Sequence, residues 1–241
     1  MFPIRDVNPT FIRPVLTWIV VAVNIGVFFF VQPQSGFDAD EFVYRNAAIA
    51  CELTTGEPLT SHEVATGVCT DSPGSVVLFP EKSLLGSVVL SMFLHTGVMH
   101  LVLNMWILWI FGNNVEEAFG RRGFVIMYLL SGAAATLGFV ALRPDLTVPL
   151  VGASGAIAGV MGAYLVLFPR HRVMTLIIFR IVAIPARVFL GIWFISQFLF
   201  TGGNVAVEAH VAGFLFGVLI TLPLRRRLLR NTSGRSPLRT R

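Results

Sequence analysis

Charged side chains are scarce in this chain. Of its 241 residues, 13% are charged and 55% are hydrophobic, whereas soluble globular chains carry about 25% charged residues. The mean hydropathy of +0.76 agrees with this bias. Several apolar runs reach or approach the roughly 20 residues that cross a ~30 Å hydrocarbon layer as helix. The composition therefore excludes an ordinary soluble domain and predicts one polytopic membrane domain.

Cysteine is almost absent as well. The only two cysteines are Cys51 and Cys69, and both fall in the single long polar loop at residues 33–83. If that loop faces an oxidising compartment, a disulfide between them is one prediction. Their spacing alone leaves paired cysteines and free thiols equally open.

Six apolar runs predict an all-α membrane protein, a bundle of six transmembrane helices. They cover about residues 11–31, 84–111, 124–142, 151–168, 188–200 and 205–224. A cleaved signal peptide is the alternative for the first run, but such peptides have apolar cores of roughly 7–15 residues. The longer run here favours a retained span. Residues 173–187 are apolar but are interrupted by Arg180 and Pro185, so they are interpreted as an interfacial segment.

Basic residues are distributed unevenly around these runs. With the N-terminus inside, 15 of the 18 lysines and arginines lie on the inner side, and only Arg45, Lys82 and Arg143 lie outside. This asymmetry predicts two cytoplasmic termini, in what we expect to be a bacterial plasma membrane. It also accounts for the net charge of +5 without a nucleic-acid partner. The predicted organisation is a cytoplasmic tail at 1–11, a membrane domain at 12–224 with an extracytoplasmic loop at 33–83, and a basic cytoplasmic tail at 225–241.

Polar side chains interrupt three of the apolar runs. His95, His100 and Asn104 fall in HTGVMHLVLN, Ser154 falls in VGASGAIAG, and His210 falls in VEAHVAGFLFG. Such groups are expensive inside a membrane, so by default they mark function.

Ser154 and His210 are predicted to lie at the same depth. Ser154 precedes the basic residue Arg170 by 16 residues, and His210 precedes Arg225 by 15. At about 1.5 Å per residue, each lies roughly 23 Å above the inner boundary, and Asn104 comes to a comparable height. In a ~30 Å core this is roughly 5–10 Å below the outer surface.

Small residues recur at four-residue spacing on the same two helices. They are Gly155, Gly159 and Ala163 on the fourth run and Ala209, Gly213 and Gly217 on the sixth. Small residues at this spacing let helix backbones approach closely in lipid. The pattern predicts that the two helices pack together and bring His210 toward Ser154.

These groups suit acyl transfer. A serine hydroxyl needs a base to become a nucleophile, and His210 is the candidate because imidazole titrates near neutrality. Ser154 would begin its helix, where free N–H groups favour negative charge. His100 and Asn104 share a helix face and could hold an oxyanion. Helix packing and interhelical hydrogen bonding stay open as alternatives for these residues, and His95 is expected to support the long loop.

A zinc site is the main chemical alternative, because three histidines could ligate a metal. However, the HEXXH motif is absent, and no acidic residue lies within a span near the histidines; Glu208 lies at an outer end. A zinc hydrolase normally has three ligands and a general base. We therefore expect neither a metal nor another cofactor.

The segments HTGVMHLVLNMWILWIFGNNVEEAFG, GASGAIAGVMGAY and AHVAGFLFG resemble the signatures of rhomboid intramembrane serine proteases. The resemblance covers about residues 12–224, with the motifs in the family's order. It implies that Ser154 is the nucleophile and His210 its base, a dyad without an acid. It also implies an oxyanion hole made by His100, Asn104 and the Ser154 backbone N–H.

Further expectations follow from the same resemblance. Gly152, with support from Gly155, would shape the turn into the active-site helix. Substrates would be other membrane proteins in the lipid bilayer, cut in or beside their transmembrane segments. The fifth span and the TGGN loop after it would gate entry. The candidate gate residues, for which lipid or core packing is the alternative, are Trp193, Phe194 and Phe198.

Two departures from the family pattern matter. Some relatives carry an aromatic ring one turn after the serine, stacked on the base, but this chain has Ala158 there. Glu208, two residues before the base, has no assigned role. A noncatalytic rhomboid-like binding protein and a histidine-lined transporter are the alternative functions, and the sequence does not specify an oligomeric state.

Overall fold

The computed structural model describes residues 1–70, 74–199 and 206–233. The protein is mostly helical, as predicted, but it also contains two small sheets that an all-α fold omits. The helices are α1 (Val15–Phe30), α2 (Phe37–Asn46), α3 (Ala50–Thr55), α4 (Ser61–Thr66), α5 (Leu84–Leu90), α6 (Val98–Leu142), α7 (Ser154–Leu167), α8 (Ala186–Leu199) and α9 (Val207–Ser233). The strands are β1 (Phe2–Asp6), β2 (Ala48–Ile49), β3 (Pro149–Leu150), β4 (Arg172–Ile177) and β5 (Arg180–Pro185).

Helix α6 is much longer than a membrane is thick. Its 45 residues would extend about 67 Å if straight, more than twice a ~30 Å hydrocarbon core. Gly120 interrupts the helical backbone with φ 71° and ψ 166°, and it divides α6 into legs at 98–119 and 121–142. Among the described residues, α6 and α9 are the two helices long and apolar enough to cross a membrane; α1, α7 and α8 are apolar but shorter.

The run predicted at 84–111 is not one continuous helix. It comprises α5, a 3₁₀ turn at Ser91–Phe93 and the beginning of α6. The interruption falls at the polar segment around His95, where the chain is extended at Leu94.

Helices α6, α7 and α9 form the centre of the bundle, and glycines bring α7 and α9 into backbone contact. A Cβ atom added at Gly213 would overlap the Gly155 carbonyl, and one added at Gly217 would overlap the Gly159 carbonyl. The prediction that small residues bring these two helices together is confirmed.

The start of α1 is stabilised by a carboxylate from α6. Glu116 is fully buried. Its two oxygens accept hydrogen bonds from the backbone N–H of Leu16 (3.0 Å), the backbone N–H of Thr17 (2.7 Å) and the Thr17 hydroxyl (2.8 Å). The first N–H groups of a helix lack partners within the helix, and a negative charge there is favourable. Glu116 therefore joins α1 to the first leg of α6.

Strands β1, β4 and β5 form a three-stranded antiparallel sheet in the order β1–β4–β5. Residues 1–11 were predicted as a tail, yet β1 pairs with β4. Most of residues 173–187 form the β4–β5 hairpin, so they are not a span, and their interfacial location stays a prediction. Asp6 of β1 is held by the Asn114 amide (2.7 Å) and the Tyr164 hydroxyl (2.9 Å). Burial raises the pKa of the Asp6 carboxyl to about 6, although hydrogen bonds from the Tyr164 hydroxyl and from the backbone of Asp6 and Asn8 act in the opposite direction.

The polar loop contains α2, α3 and α4, and Cys51 and Cys69 are joined there by a disulfide. Glu52 and Lys82 form a salt bridge of 2.5 Å in which both side chains are 1% exposed. The Lys82 ammonium also donates to the Tyr44 carbonyl at 2.7 Å. Burial lowers the pKa of Lys82, and the Glu52 carboxylate opposes that shift.

At the other end of the chain, α9 does not end at residue 224, where the basic tail was predicted to begin. The helix continues to Ser233, and the Asn231 amide donates to the Ala118 carbonyl at 2.9 Å. Part of the basic segment is therefore helix packed against α6.

Candidate active site

Ser154 is the first residue of α7, and the segment before it is held in place from two sides. Strand β3 pairs with β2, and the Gly152 N–H donates to the Ser91 carbonyl at 2.9 Å. The Ser91 hydroxyl in turn accepts from the Ala48 N–H at 2.6 Å. Residues from the polar loop and the 3₁₀ turn thus fix the approach to the serine.

Gly152 needs to be glycine for two reasons. Its φ of +123° lies in the region that favours glycine. A Cβ there would also lie 2.8 Å from His100 Cε1 and 3.5 Å from Ser154 Oγ. The His100 ring therefore packs directly on the turn that leads into the serine.

His210 lies in the first turn of α9 and is partly buried. Its Nδ1 is 2.8 Å from the Gln197 side-chain oxygen on α8. The Trp193 ring, also on α8, lies 6.2 Å from the imidazole between centroids and is tilted by 37°. Ala158, the position that is aromatic in some relatives, is fully buried within α7.

One cavity of about 1150 Å³ brings the predicted polar residues together. Its wall includes Ser154 from α7, His210 from α9, His100 and Asn104 from α6, and Gly152. The helix contacts explain this arrangement, because Gly155 and Gly213, which touch through backbone, are one residue from Ser154 and three residues from His210.

The hydrogen bonds of His100 and Asn104 determine which N–H groups these two side chains can present to the cavity. His100 Nδ1 accepts from the Thr96 backbone N–H at 3.5 Å and lies 3.1 Å from the Thr96 hydroxyl. A ring nitrogen that accepts carries no proton in the neutral imidazole, so the proton lies on Nε2, beside Gly152. The Asn104 amide donates one hydrogen to the His100 carbonyl at 3.0 Å, and its second hydrogen has no partner among the described residues.

His95 supports the beginning of α6 rather than lining the cavity. It is fully buried, and its ring meets the His100 ring edge to face at 5.1 Å. Its backbone N–H donates to the Gln32 side chain at 3.1 Å, and its carbonyl accepts from the same side chain at 2.6 Å. Gln32, just beyond α1, was not singled out from sequence.

The three candidate gate residues have different surroundings. Trp193 and Phe198 line the cavity. Phe194 instead packs on Phe214 of α9, with ring centroids 4.9 Å apart. The TGGN segment at 201–204 lies outside the described residues.

Glu208 forms an ion pair at the cavity wall. Its carboxylate accepts from Arg143 Nε at 2.8 Å, which links the end of α6 to the first turn of α9. Sequence reasoning missed this partner, as it missed Gln197, because neither pairing has a local sequence pattern.

Among the described residues, the histidines do not form a group of three that could bind a metal ion. The one group of three potential ligands found there is Cys51, Glu63 and Cys69, with ligand atoms within 4.8 Å of one another. Since the two cysteines are bonded to each other, their sulfurs are not thiolates that could ligate a metal.

Comparison with known proteins agrees with these motifs. A family model described as a rhomboid domain matches residues 84–227, more than half of the chain. Rhomboid protein 1, mitochondrial, of Saccharomyces cerevisiae is 32% identical over 140 residues, which cover 55% of this chain and 40% of the relative. Rhomboid protease GluP of Bacillus subtilis is 32% identical over 124 residues, 52% of this chain and 23% of GluP.

A longer match is to the presenilin-associated rhomboid-like protein, mitochondrial, of Rattus norvegicus. It is 28% identical over 180 residues, 65% of this chain and 41% of the relative. The chain thus spans less than half the length of the curated relatives it matches. Because the family model covers most of the helical core, the chain belongs to the rhomboid family and is an integral membrane protein.

Proposed function

We propose that this protein is an intramembrane serine endopeptidase that cuts other membrane proteins in or next to their transmembrane segments. The observation that carries the proposal is that Ser154 and His210, from different helices, line one cavity together with His100 and Asn104. The family includes a protease by name, GluP.

In the proposed reaction, Ser154 Oγ attacks the carbonyl carbon of the scissile peptide while His210 Nε2 takes the hydroxyl proton. The tetrahedral intermediate carries a negative oxygen. The Ser154 backbone N–H, the His100 Nε2–H and the second hydrogen of the Asn104 amide are the donors for it. In water-excluded sites one such donor lowers the barrier by about 2.7–4 kcal/mol.

The intermediate then collapses and the peptide C–N bond breaks. His210 returns its proton to the leaving amine, and an ester joins the acyl fragment to Ser154. Water, deprotonated by His210, then attacks the ester carbonyl. The bond between that carbon and Ser154 Oγ breaks, His210 returns the proton to Oγ, and the carboxylic acid product leaves. This scheme uses no metal or other cofactor.

The proposal includes a six-span topology with both termini cytoplasmic. The six crossings would be α1, the two legs of α6, α7, α8 and α9. Support comes from the bend at Gly120, which lets α6 cross twice, and from the excess of basic residues on one side. A bacterial plasma membrane and transmembrane substrates belong to the same proposal.

Fluorophosphonate labelling of the purified protein tests the chemistry. We expect the wild type to be labelled and Ser154→Ala and His210→Ala to lose labelling. Ser131→Ala is the matched control, because Ser131 is a fully buried helix serine that does not line the cavity. A folded wild type that is not labelled would overturn the proposal in favour of a noncatalytic binding protein.

Cleavage of single-span membrane proteins tests the substrate class. Wild-type protein in liposomes should produce fragments that Ser154→Ala does not, with the cut in or beside the span. Cleavage confined to soluble proteins would contradict this part of the proposal.

A further inference from the structure

We propose that Gln197 of α8 is a positioning residue that holds His210 in the tautomer needed for a base; this inference rests on the proposed function. The geometry is a hydrogen bond of 2.8 Å between His210 Nδ1 and Gln197 Oε1. The pair joins two helices across the cavity wall.

The second hydrogen bond of Gln197 fixes which end of its amide faces the histidine. Its Nε2 donates to the Trp193 carbonyl at 3.2 Å. A carbonyl oxygen can only accept, so the NH₂ group must point toward Trp193 and the amide oxygen toward His210.

The orientation of the amide sets the proton on the imidazole. Because Gln197 Oε1 can only accept, His210 Nδ1 must donate and carries the ring proton. The neutral ring then has its lone pair on Nε2, as a general base for the Ser154 hydroxyl requires. In serine proteases with a triad, a carboxylate performs this orienting role.

No other neighbour among the described residues takes this role for His210. The charged and titratable side chains that share its cavity are His100 of α6, Arg143 just after α6 and Glu208 of its own helix, and Glu208 is paired with Arg143. Ala158 has no ring to stack. The Trp193 ring packs beside the imidazole but bears no acceptor for it.

The test of this hydrogen bond compares Gln197→Leu, which removes the acceptor oxygen, with Gln197→Glu, which retains one. Removing the orienting carboxylate of a triad lowers kcat about 10⁴-fold. A neutral amide contributes less, so we expect Q197L to slow fluorophosphonate labelling about 10- to 100-fold with an unchanged melting temperature. Q197E should keep a rate near that of the wild type, with the acidic limb of its pH profile moved to higher pH because a carboxylate stabilises the protonated ring.

Two outcomes would overturn the inference. One is a Q197L labelling rate within twofold of the wild type. The other is equal loss in Q197L and Q197E, which would mean that an acceptor oxygen at this position is not what His210 requires. If Q197L lowers the melting temperature, Gln197→Met provides an unbranched replacement of similar length.

A spectroscopic measurement separates this inference from the proposed function. Nitrogen-15 NMR of histidine-labelled protein, assigned with His210→Ala, reports the tautomer without any substrate. We expect Nδ1–H in the wild type and a shift toward Nε2–H in Q197L. An Nε2–H tautomer in the wild type contradicts the inference even if labelling succeeds, whereas Nδ1–H without any labelling refutes only the proposed protease.

Discussion

Arg143 Nε donates to the Glu208 carboxylate at 2.8 Å, so the residue that follows α6 is tied to the first turn of α9. The pair lies at the wall of the cavity, but the Arg143 side chain is 58% exposed. Exposed ion pairs contribute little because water and salt screen them. The structure therefore gives Glu208 a bracing role at the rim.

We expect Glu208→Gln to lower the free energy of unfolding by less than about 1 kcal/mol. Fluorophosphonate labelling should stay within about threefold of the wild type, because the carboxylate is paired with Arg143 and does not contact His210. Thermal unfolding in detergent and labelling rates check both values. A hundredfold loss of labelling would instead make Glu208 a third member of the site.

Gly217→Ala should be strongly destabilising. Its Cβ would overlap the Gly159 carbonyl, and overpacking of this kind typically costs about 1–3 kcal/mol. We expect a lower melting temperature and weaker labelling, since α7 and α9 carry Ser154 and His210.

The matched control for this change is Gly26→Ala in α1. A Cβ at Gly26 meets nothing within 4 Å, and alanine favours the helix by about 0.8–1.0 kcal/mol. The two substitutions should change the melting temperature in opposite directions. Equal effects would mean that backbone contact between α7 and α9 is not what makes Gly217 sensitive.

The stability of the N-terminal strand should depend on pH through Asp6. Its pKa is raised by burial from an ordinary value of 3.8 to about 6 in the folded protein. The folded state therefore binds the proton more tightly than the unfolded state, and stability falls as pH rises from about 4 through 6. Asp6→Asn should remove this part of the pH dependence.

Melting temperatures of wild type and Asp6→Asn between pH 4 and pH 8 check the sign. The variant should gain relative to the wild type as pH rises, since it never has to bury a charge. Asp38→Asn, on an exposed acid of α2, should show no such gain. If the melting temperature of the wild type instead rose relative to that of Asp6→Asn with increasing pH, the raised pKa of Asp6 would be contradicted.

Lys82→Met should destabilise the polar loop by about 3–5 kcal/mol, because it leaves the buried Glu52 carboxylate without its charged partner. The double variant with Glu52→Leu should recover much of that loss. Arg45→Ala breaks the exposed Arg45–Glu41 pair and should cost less than about 1 kcal/mol. Chemical unfolding in detergent measures these free energies. A small loss of stability for Lys82→Met would mean that water reaches the Glu52–Lys82 pair.

The polar residues of the cavity were predictable from sequence because each follows a periodic rule. Ser154 and His210 stand at similar distances from basic boundaries, and glycines mark the helix faces that meet. His100 and Asn104 are four residues apart on one face. Gln197 follows no such rule, because its partner lies on another helix and depends on how α8 is rotated.

The β4–β5 hairpin was missed for a specific physical reason. Its strands are apolar and rich in β-branched residues, which in a hydrophobic chain look like membrane segments. The turn between them contains Ile178 at φ 54°, where glycine or asparagine would ordinarily signal a hairpin. A β-branched residue in this conformation is unusual, so the local sequence carries no turn signal.

The glycine contacts between α7 and α9 also bear on how the proposed site would open. Backbone atoms have no rotamers to exchange, so we expect α7 and α9, which carry the proposed dyad, to move together. For the proposed protease we therefore expect substrate entry to depend on α8, which lines the cavity with Trp193 and Phe198 and contacts His210 through Gln197. Loosening α8 would release the imidazole at the same moment that it widens the entrance.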